Sequence, residues 1–222
     1  MGCLTPMFGD TKDAKRICKE NNANADQAQV IHYFCDERGC LSKGIPDAEF
    51  DANKERQIAA LNLRNKALGK FGLDEDQVKE VDPIMIIGPD YENSEYKMIG
   101  SDGVYRYSAY QITYIFCSAT QVYVYQYTIN LDISTKREKA EEYFYKDITN
   151  FTTVDDNKKI PFRAIKGGCL GKSIQQDPKD VSISEFKIVV PGDKFLCSMI
   201  PNDETEGKIQ ALKAKLREKK NS

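Results

Sequence analysis

The sequence holds little of what several common chemistries require. It has one histidine, His32, so any Ser-His-Asp or Cys-His arrangement would have to use that residue. No G-x-S-x-G or comparable nucleophile setting accompanies it. No stretch approaches the roughly 18 consecutive apolar residues of a membrane-spanning helix. The start, MGCLTPMFGDTKDAKR, lacks the basic beginning and apolar run of a secretory signal. Pro6 stands where N-myristoylation wants Ser or Thr, and no apolar stretch precedes Cys3 to form a lipobox. Charge of one sign is also missing, with 32 Lys and Arg against 34 Asp and Glu. No global basic field therefore argues for nucleic acid or an anionic membrane. Together these absences predict a cytoplasmic chain without a nucleic-acid partner.

The cysteines are seven, an odd and dispersed set, which reads as reduced thiols with several serving as core fillers. Cys18, His32, Cys35 and Cys40 are the one grouping with metal-ligand chemistry, since thiolates and imidazole suit Zn²⁺. Their spacing, C-x13-H-x2-C-x4-C, matches no standard knuckle, and a helical face with incidental thiols explains it equally well. The expectation is no cofactor, with zinc on these four residues as the alternative.

The segment KGGCLGKS, Lys166 to Ser173, has the look of a phosphate loop and fails its test. G-x-x-x-x-G-K-[ST] would need glycine where Lys166 stands. Its phosphate-wrapping N–H groups must also lead into a helix. Pro178 follows too soon for one, so a turn between strands is expected. The carboxylate pairs Glu141-Glu142 and Asp155-Asp156, and the run Asp74-Glu75-Asp76, fall at expected strand ends, loops and caps. They read as solvated surface, because acid–base work needs one member desolvated.

Composition changes near Pro83. Residues 1–82 read as helical, and eleven of the twelve tyrosines follow, within 84–200. Helices are expected around 11–20 and 24–35, with the Asn-rich NNANAD between them weakening both. DAEFDANKERQIAALNLRNKALGKFG reads as one helix with Phe50, Ile58, Leu61 and Leu68 near one face and Gly69 as its stop. A short helix near Asp74 should follow. Beyond Pro83 the period becomes two. YQITYIFCS and QVYVYQYTINL, separated by Ser118-Ala119-Thr120, predict an antiparallel hairpin. Further strands are expected at 141–146, 148–154, 160–165, 181–190 and 194–199, with a turn at Pro191-Gly192-Asp193. NDETEGKIQALKAKLREKK should form a final helix capped at Asn202 or Asp203, with Ile209, Leu212 and Leu216 as its apolar stripe.

The order of seven short strands and a closing amphipathic helix, with the phrases YKDITNFTTV and FKIVVPGDKFLCSM, resembles the pleckstrin-homology-like (PH-like) barrel. The resemblance covers Tyr110 to about Lys219. The longer pattern from GLDEDQVKEVDP through YQITYIFCSATQVYVYQYTINL is similar to a group of bacterial cytoplasmic proteins and implies no activity. The resemblance implies an α+β fold. A helical N-terminal region (1–82) would precede a seven-stranded antiparallel PH-like barrel or sandwich capped by a C-terminal helix (83–222). Phosphoinositide-binding members carry Lys and Arg on the first strands and their joining loop. Here the run Tyr107 to Leu131 is uncharged, so inositol-phosphate docking at a membrane is not expected. A protein or peptide partner could add a strand at an exposed edge, and a homo-oligomer stays open.

One strand poses a problem of its own. In QVYVYQYTINL the residues Tyr123, Tyr125 and Tyr127 lie on one face and Val122 and Val124 on the other, so both faces are apolar. One can line a barrel; the other needs cover from the helical region or from a partner. The tyrosine face is accordingly the candidate binding surface. The favoured reading is a non-enzymatic binding or adaptor protein. The alternatives are an enzyme with a carboxylate and tyrosine site between the helical region and the sheet, and a zinc-stabilised interaction module.

Overall fold

A computed structural model describes residues 11–36, 44–78, 83–168, 171–200 and 202–221. Helices α1 (Thr11–Glu20) and α2 (Ala25–Cys35) are separated by the Asn-rich segment, which supplies the turn and the cap. Asn22 adopts a left-handed φ of 48°. The Asn24 side chain accepts from Gln27 N at 2.9 Å while Asn24 N donates to Gln27 Oε1 at 3.0 Å, a reciprocal cap that satisfies two exposed donors. The next helix is two rather than one: α3 (Asp47–Ala60) and α4 (Leu63–Phe71). Asn62, at φ 47°, breaks it, since asparagine enters the left-handed region at low cost. Gly69 lies inside α4, and the stop is Gly72, at φ 63°. Where a short helix was expected after Asp74, a 3₁₀ turn runs over Glu75–Val78.

Among the described residues nine strands follow, in two sheets and with no closed barrel, where seven strands in a barrel or sandwich were expected. Strands β1 (Ile84–Pro89), β4 (Ala109–Cys117), β5 (Gln121–Asn130) and β6 (Lys136–Phe144) make an antiparallel sheet in the order β1-β4-β5-β6. Strands β2 (Lys97–Ile99), β3 (Tyr105–Tyr107), β7 (Asn150–Gly168), β8 (Gly171–Val190) and β9 (Asp193–Met199) make the second, in the order β3-β2-β7-β8-β9. The β4–β5 hairpin forms as expected, Cys117 opposite Val122, and Pro191-Gly192 turns β8 into β9 with Gly192 at φ 84°. The separate strands expected at 148–154 and 160–165 are one strand, β7, and β8 begins ten residues before 181. Pro161 stands directly opposite Pro178. Two facing prolines have no N–H to exchange, so the ladder tolerates them only where neither was needed as a donor across the pair. Lys166–Gly168 and Gly171–Ser173 close this hairpin in register, with no helix after them. β6, KREKAEEYF, begins five residues ahead of the strand expected at 141–146. It pairs on one side with β5 and presents charge along a sheet edge, which discourages further pairing.

Two apolar clusters account for the doubly apolar β5. Val122 and Val124 face a core between the sheets together with Ile86, Ile115, Phe186, Ile188, Phe195 and Met199. Helix α5 (Asp203–Asn221) seals this core with Ile209, Leu212 and Leu216, each at most 2% exposed. Asn202 Oδ1 accepts from Thr205 N at 2.8 Å, capping the helix as expected. The tyrosine face meets the helical region in the other cluster. Phe71 lies 5.1 Å from the Tyr123 ring and Lys66 Nζ 5.6 Å from the Tyr127 centroid. Phe50 stacks on Tyr33 at 4.4 Å. At one corner β1 and β9 touch: Ser198 Oγ donates to Pro89 O at 2.8 Å and Ile200 N to Ile87 O at 3.3 Å. Among the described residues no helix is long and apolar enough to cross a membrane.

Candidate functional site: a tyrosine-lined cleft

A cleft of about 370 Å³ opens where α3, the β2–β3 hairpin and the far half of β8 converge. Its aromatic wall centres on Tyr107 at the end of β3. The Tyr91 ring stands edge-on to Tyr107 at 5.4 Å and 86°, and Tyr110 does the same at 6.4 Å and 88°. Phe162 backs Tyr107 from β7 at 5.8 Å. Such edge-to-face packing fixes ring positions through quadrupole attraction as well as buried area. Val104 and Ile200 line the same cleft and are 53% and 41% exposed. Phe144 is the remaining exposed large hydrophobic residue among those described. It lines a separate depression of about 310 Å³ beside the β8–β9 turn. Two of three such side chains at one cleft mark a surface built to meet something apolar.

The floor is polar and rigid. Arg106, 3% exposed, uses every guanidinium donor. Nε and Nη2 donate to Asp51 at 3.2 and 2.7 Å, Nη1 and Nη2 to Asp102 at 2.8 Å each, and Nη1 also to Val104 O at 3.3 Å. The guanidinium is held charged by Asp102 first and Asp51 as well, and Arg106 holds the Asp102 carboxyl down at about 2. A fully engaged fork pins α3 to the β2–β3 hairpin and has no donor left for a ligand. Gly100 makes room for it, since a Cβ there would lie 2.2 Å from Arg106 Nη1. Lys54, one turn along α3 from Asp51, places Nζ 5.4 Å from the Tyr110 centroid and 3.5 Å from Asp51 Oδ1.

Burial keeps the phenols protonated. Tyr91 is pushed up to about 12, chiefly by desolvation with the Glu185 charge adding. Tyr107 and Tyr110 are pushed higher still by the same cause. At neutral pH these hydroxyls are hydrogen-bond donors rather than bases.

The described residues singled out from sequence lie elsewhere. Tyr123, Tyr125 and Tyr127 are 9%, 0% and 5% exposed, covered from within the chain by the helical region. Tyr125 Oη is the one fully buried side-chain polar atom without a partner among the described residues. Cys18 is half-buried on α1, and burial followed by the Asp36 charge raises its thiol. His32 Nδ1 sits 3.0 Å from Asp36 Oδ2, Cys35 is buried, and Cys40 lies outside the described residues. Among those described, no three His, Cys, Asp or Glu side chains are grouped to hold a metal ion. The cleft escaped sequence reading because its walls come from segments scattered between Asp51 and Ile200. Its legible trace was VYRYSAY, with Tyr105, Arg106 and Tyr107 in a hairpin after Gly103.

A second titratable feature lies at the end of β5. Asp132 is 3% exposed. Burial pushes its carboxyl up to about 6, with the Glu95 charge adding and its own backbone N–H opposing. The folded state therefore favours the neutral acid. That contribution is complete below about pH 4 and lost as pH rises through about 6, a swing of about 2–3 kcal/mol. Asp132→Asn is expected to raise stability over the parent in urea unfolding at neutral pH by about 2 kcal/mol, with the gain shrinking near pH 4. A gain equal at both pH values would show that the carboxylate is not desolvated.

Comparison with family models, with curated proteins and with solved structures finds no match to this chain.

Proposed function

We propose that this chain is a cytoplasmic, non-enzymatic binding protein that works through the tyrosine-lined cleft, on a PH-like scaffold carrying an inserted hairpin. With β2 and β3 set aside, the remaining strands run β1-β4-β5-β6 and then β7-β8-β9 before α5. The PH-like resemblance implies seven strands from Tyr110 to Met199; six lie there, β4 to β9, and β1 at 84–89 supplies a seventh ahead of them, with the closing helix after. The inserted β2–β3 hairpin is what brings Tyr105 and Tyr107 to the helical region and creates the cleft. The observation that carries the reading is the pairing of fixed tyrosine walls with exposed Val104 and Ile200 at one opening. A concave, mostly apolar site with a few fixed polar groups is the usual form of a ligand pocket. The protonated phenols and the saturated Arg106 favour binding over catalysis, because neither offers a base or a nucleophile at neutral pH.

Saturation-transfer NMR with a fragment library on the full chain tests this. Apolar and aromatic fragments should receive transfer from the parent, and Val104→Asp, a substitution at an exposed rim, should reduce it several-fold. Hits that ignore Val104→Asp would move the binding site elsewhere.

A further inference from the structure

We infer that the cleft takes a ligand with an apolar body and an anionic oxygen head, a small aryl or alkyl carboxylate, whose head is held by Lys54 and the Tyr107 hydroxyl. This rests on the cleft being the binding site. The charges around its α3 end are unevenly answered. Arg106 occupies both oxygens of Asp51 and both of Asp102. Lys54 is left sharing Asp51 Oδ1 at 3.5 Å, beyond the roughly 2.7–2.9 Å of a charge-assisted bond. The remaining carboxylate of the lining, Asp180, stands across the β7–β8 ladder from Lys159.

The phenols point the same way. Tyr107 is 4% exposed, yet its hydroxyl has no partner among the described residues and is not among the fully enclosed atoms. What surface Tyr107 keeps therefore includes that oxygen. Tyr110 Oη accepts from Tyr107 N at 3.4 Å, and its own proton has no acceptor among the described residues. Two phenol protons on this wall thus have no acceptor among the described residues, and a donor with no acceptor gains most from an anionic oxygen. A cationic head would meet the Lys54 ammonium already over the Tyr110 face. A neutral head would leave that ammonium with its 3.5 Å contact to Asp51 as its counter-charge. Rings of Tyr91 and Tyr107, with Val104 and Ile200, suit the apolar body.

Three probes of one skeleton, phenylacetate, phenylacetamide and benzylammonium, separate these possibilities by ligand-observed NMR titration of the full chain. Phenylacetate should bind about tenfold more tightly than the amide, with the ammonium weakest. Lys54→Met should erase the preference for the acid, bringing phenylacetate down to the affinity of the amide. Tyr107→Phe, which keeps the ring, should weaken phenylacetate about three- to fivefold. Equal binding of acid and amide to the parent, or a preference that survives both substitutions, would overturn the head-group assignment. If Val104→Asp still weakened all three signals several-fold, the cleft itself would stand. Signals indifferent to Val104→Asp, or absent altogether, would remove both.

Discussion

Removal of residues 1–82 should convert the remaining β domain into a self-associating species. The helical region covers Tyr123, Tyr125 and Tyr127 together with Ile112, Phe116, Ile129 and Leu131. Each aromatic ring contributes roughly 150–250 Å² when uncovered, so three tyrosines alone match the roughly 300–600 Å² of the largest patch on an ordinary monomer. The sheet beneath should persist, because its other face packs on a separate core closed by α5. The expected result is a concentration-dependent rise in mass by light scattering, with antiparallel-sheet circular dichroism retained. The point variant Phe71→Asp in the full chain gives the milder form of the test, placing a charge 5.1 Å from where the Tyr123 ring now packs. A truncated chain that stays folded and monomeric would mean that the tyrosine face needs no cover.

The same face shows what was legible in the residues. Two apolar sides on one strand require two separate covers, and β5 has them: the sheet–sheet core on the Val122 side and the helices on the Tyr123 side. The closing helix was equally plain, because Ile209, Leu212 and Leu216 repeat at helical spacing after a cap. Three features were hidden by local rules that the tertiary fold overrode. Pro178 falls between the strands expected at 160–165 and 181–190, yet standing opposite Pro161 it removes no bond that the pair required. The charged residues at 136–140 carry no alternating signal, although a strand bonded on one side has little need of apolar alternation. Asn62 sat in a continuous helical pattern, and a single left-handed residue there splits α3 from α4. The cleft was hidden for a different reason. Asp51, Tyr91, Arg106 and Asp180 come together only because the β2–β3 hairpin leans on β7, where Met98 pairs with Arg163. No periodicity within any one segment encodes that contact.

Gly88→Ala is expected to destabilise the fold by about 3–5 kcal/mol, more than any single surface change. A Cβ on Gly88 would lie 2.3 Å from both the carbonyl carbon and oxygen of Ser198 and 2.6 Å from Met199 N. These are backbone atoms, so no rotamer change relieves the overlap, and β1 must move away from β9. That movement strains the bonds joining the two sheets at this corner: Ser198 Oγ to Pro89 O, Ile200 N to Ile87 O and Ser198 N to Gln111 Oε1, at 2.8, 3.3 and 2.8 Å. It also opens the core where Ile86 and Met199 are 1% and 3% exposed. Gly207→Ala supplies the opposite sign from the same chemical change. Nothing lies within 4 Å of a Cβ there, and in α5 alanine is favoured over glycine by roughly 0.5–1 kcal/mol. In urea unfolding the midpoint should fall sharply for Gly88→Ala and rise slightly for Gly207→Ala, with the denaturant slope unchanged in both. If Gly88→Ala kept the parent midpoint, the close crossing of β1 and β9 would not be what joins the two sheets at this corner.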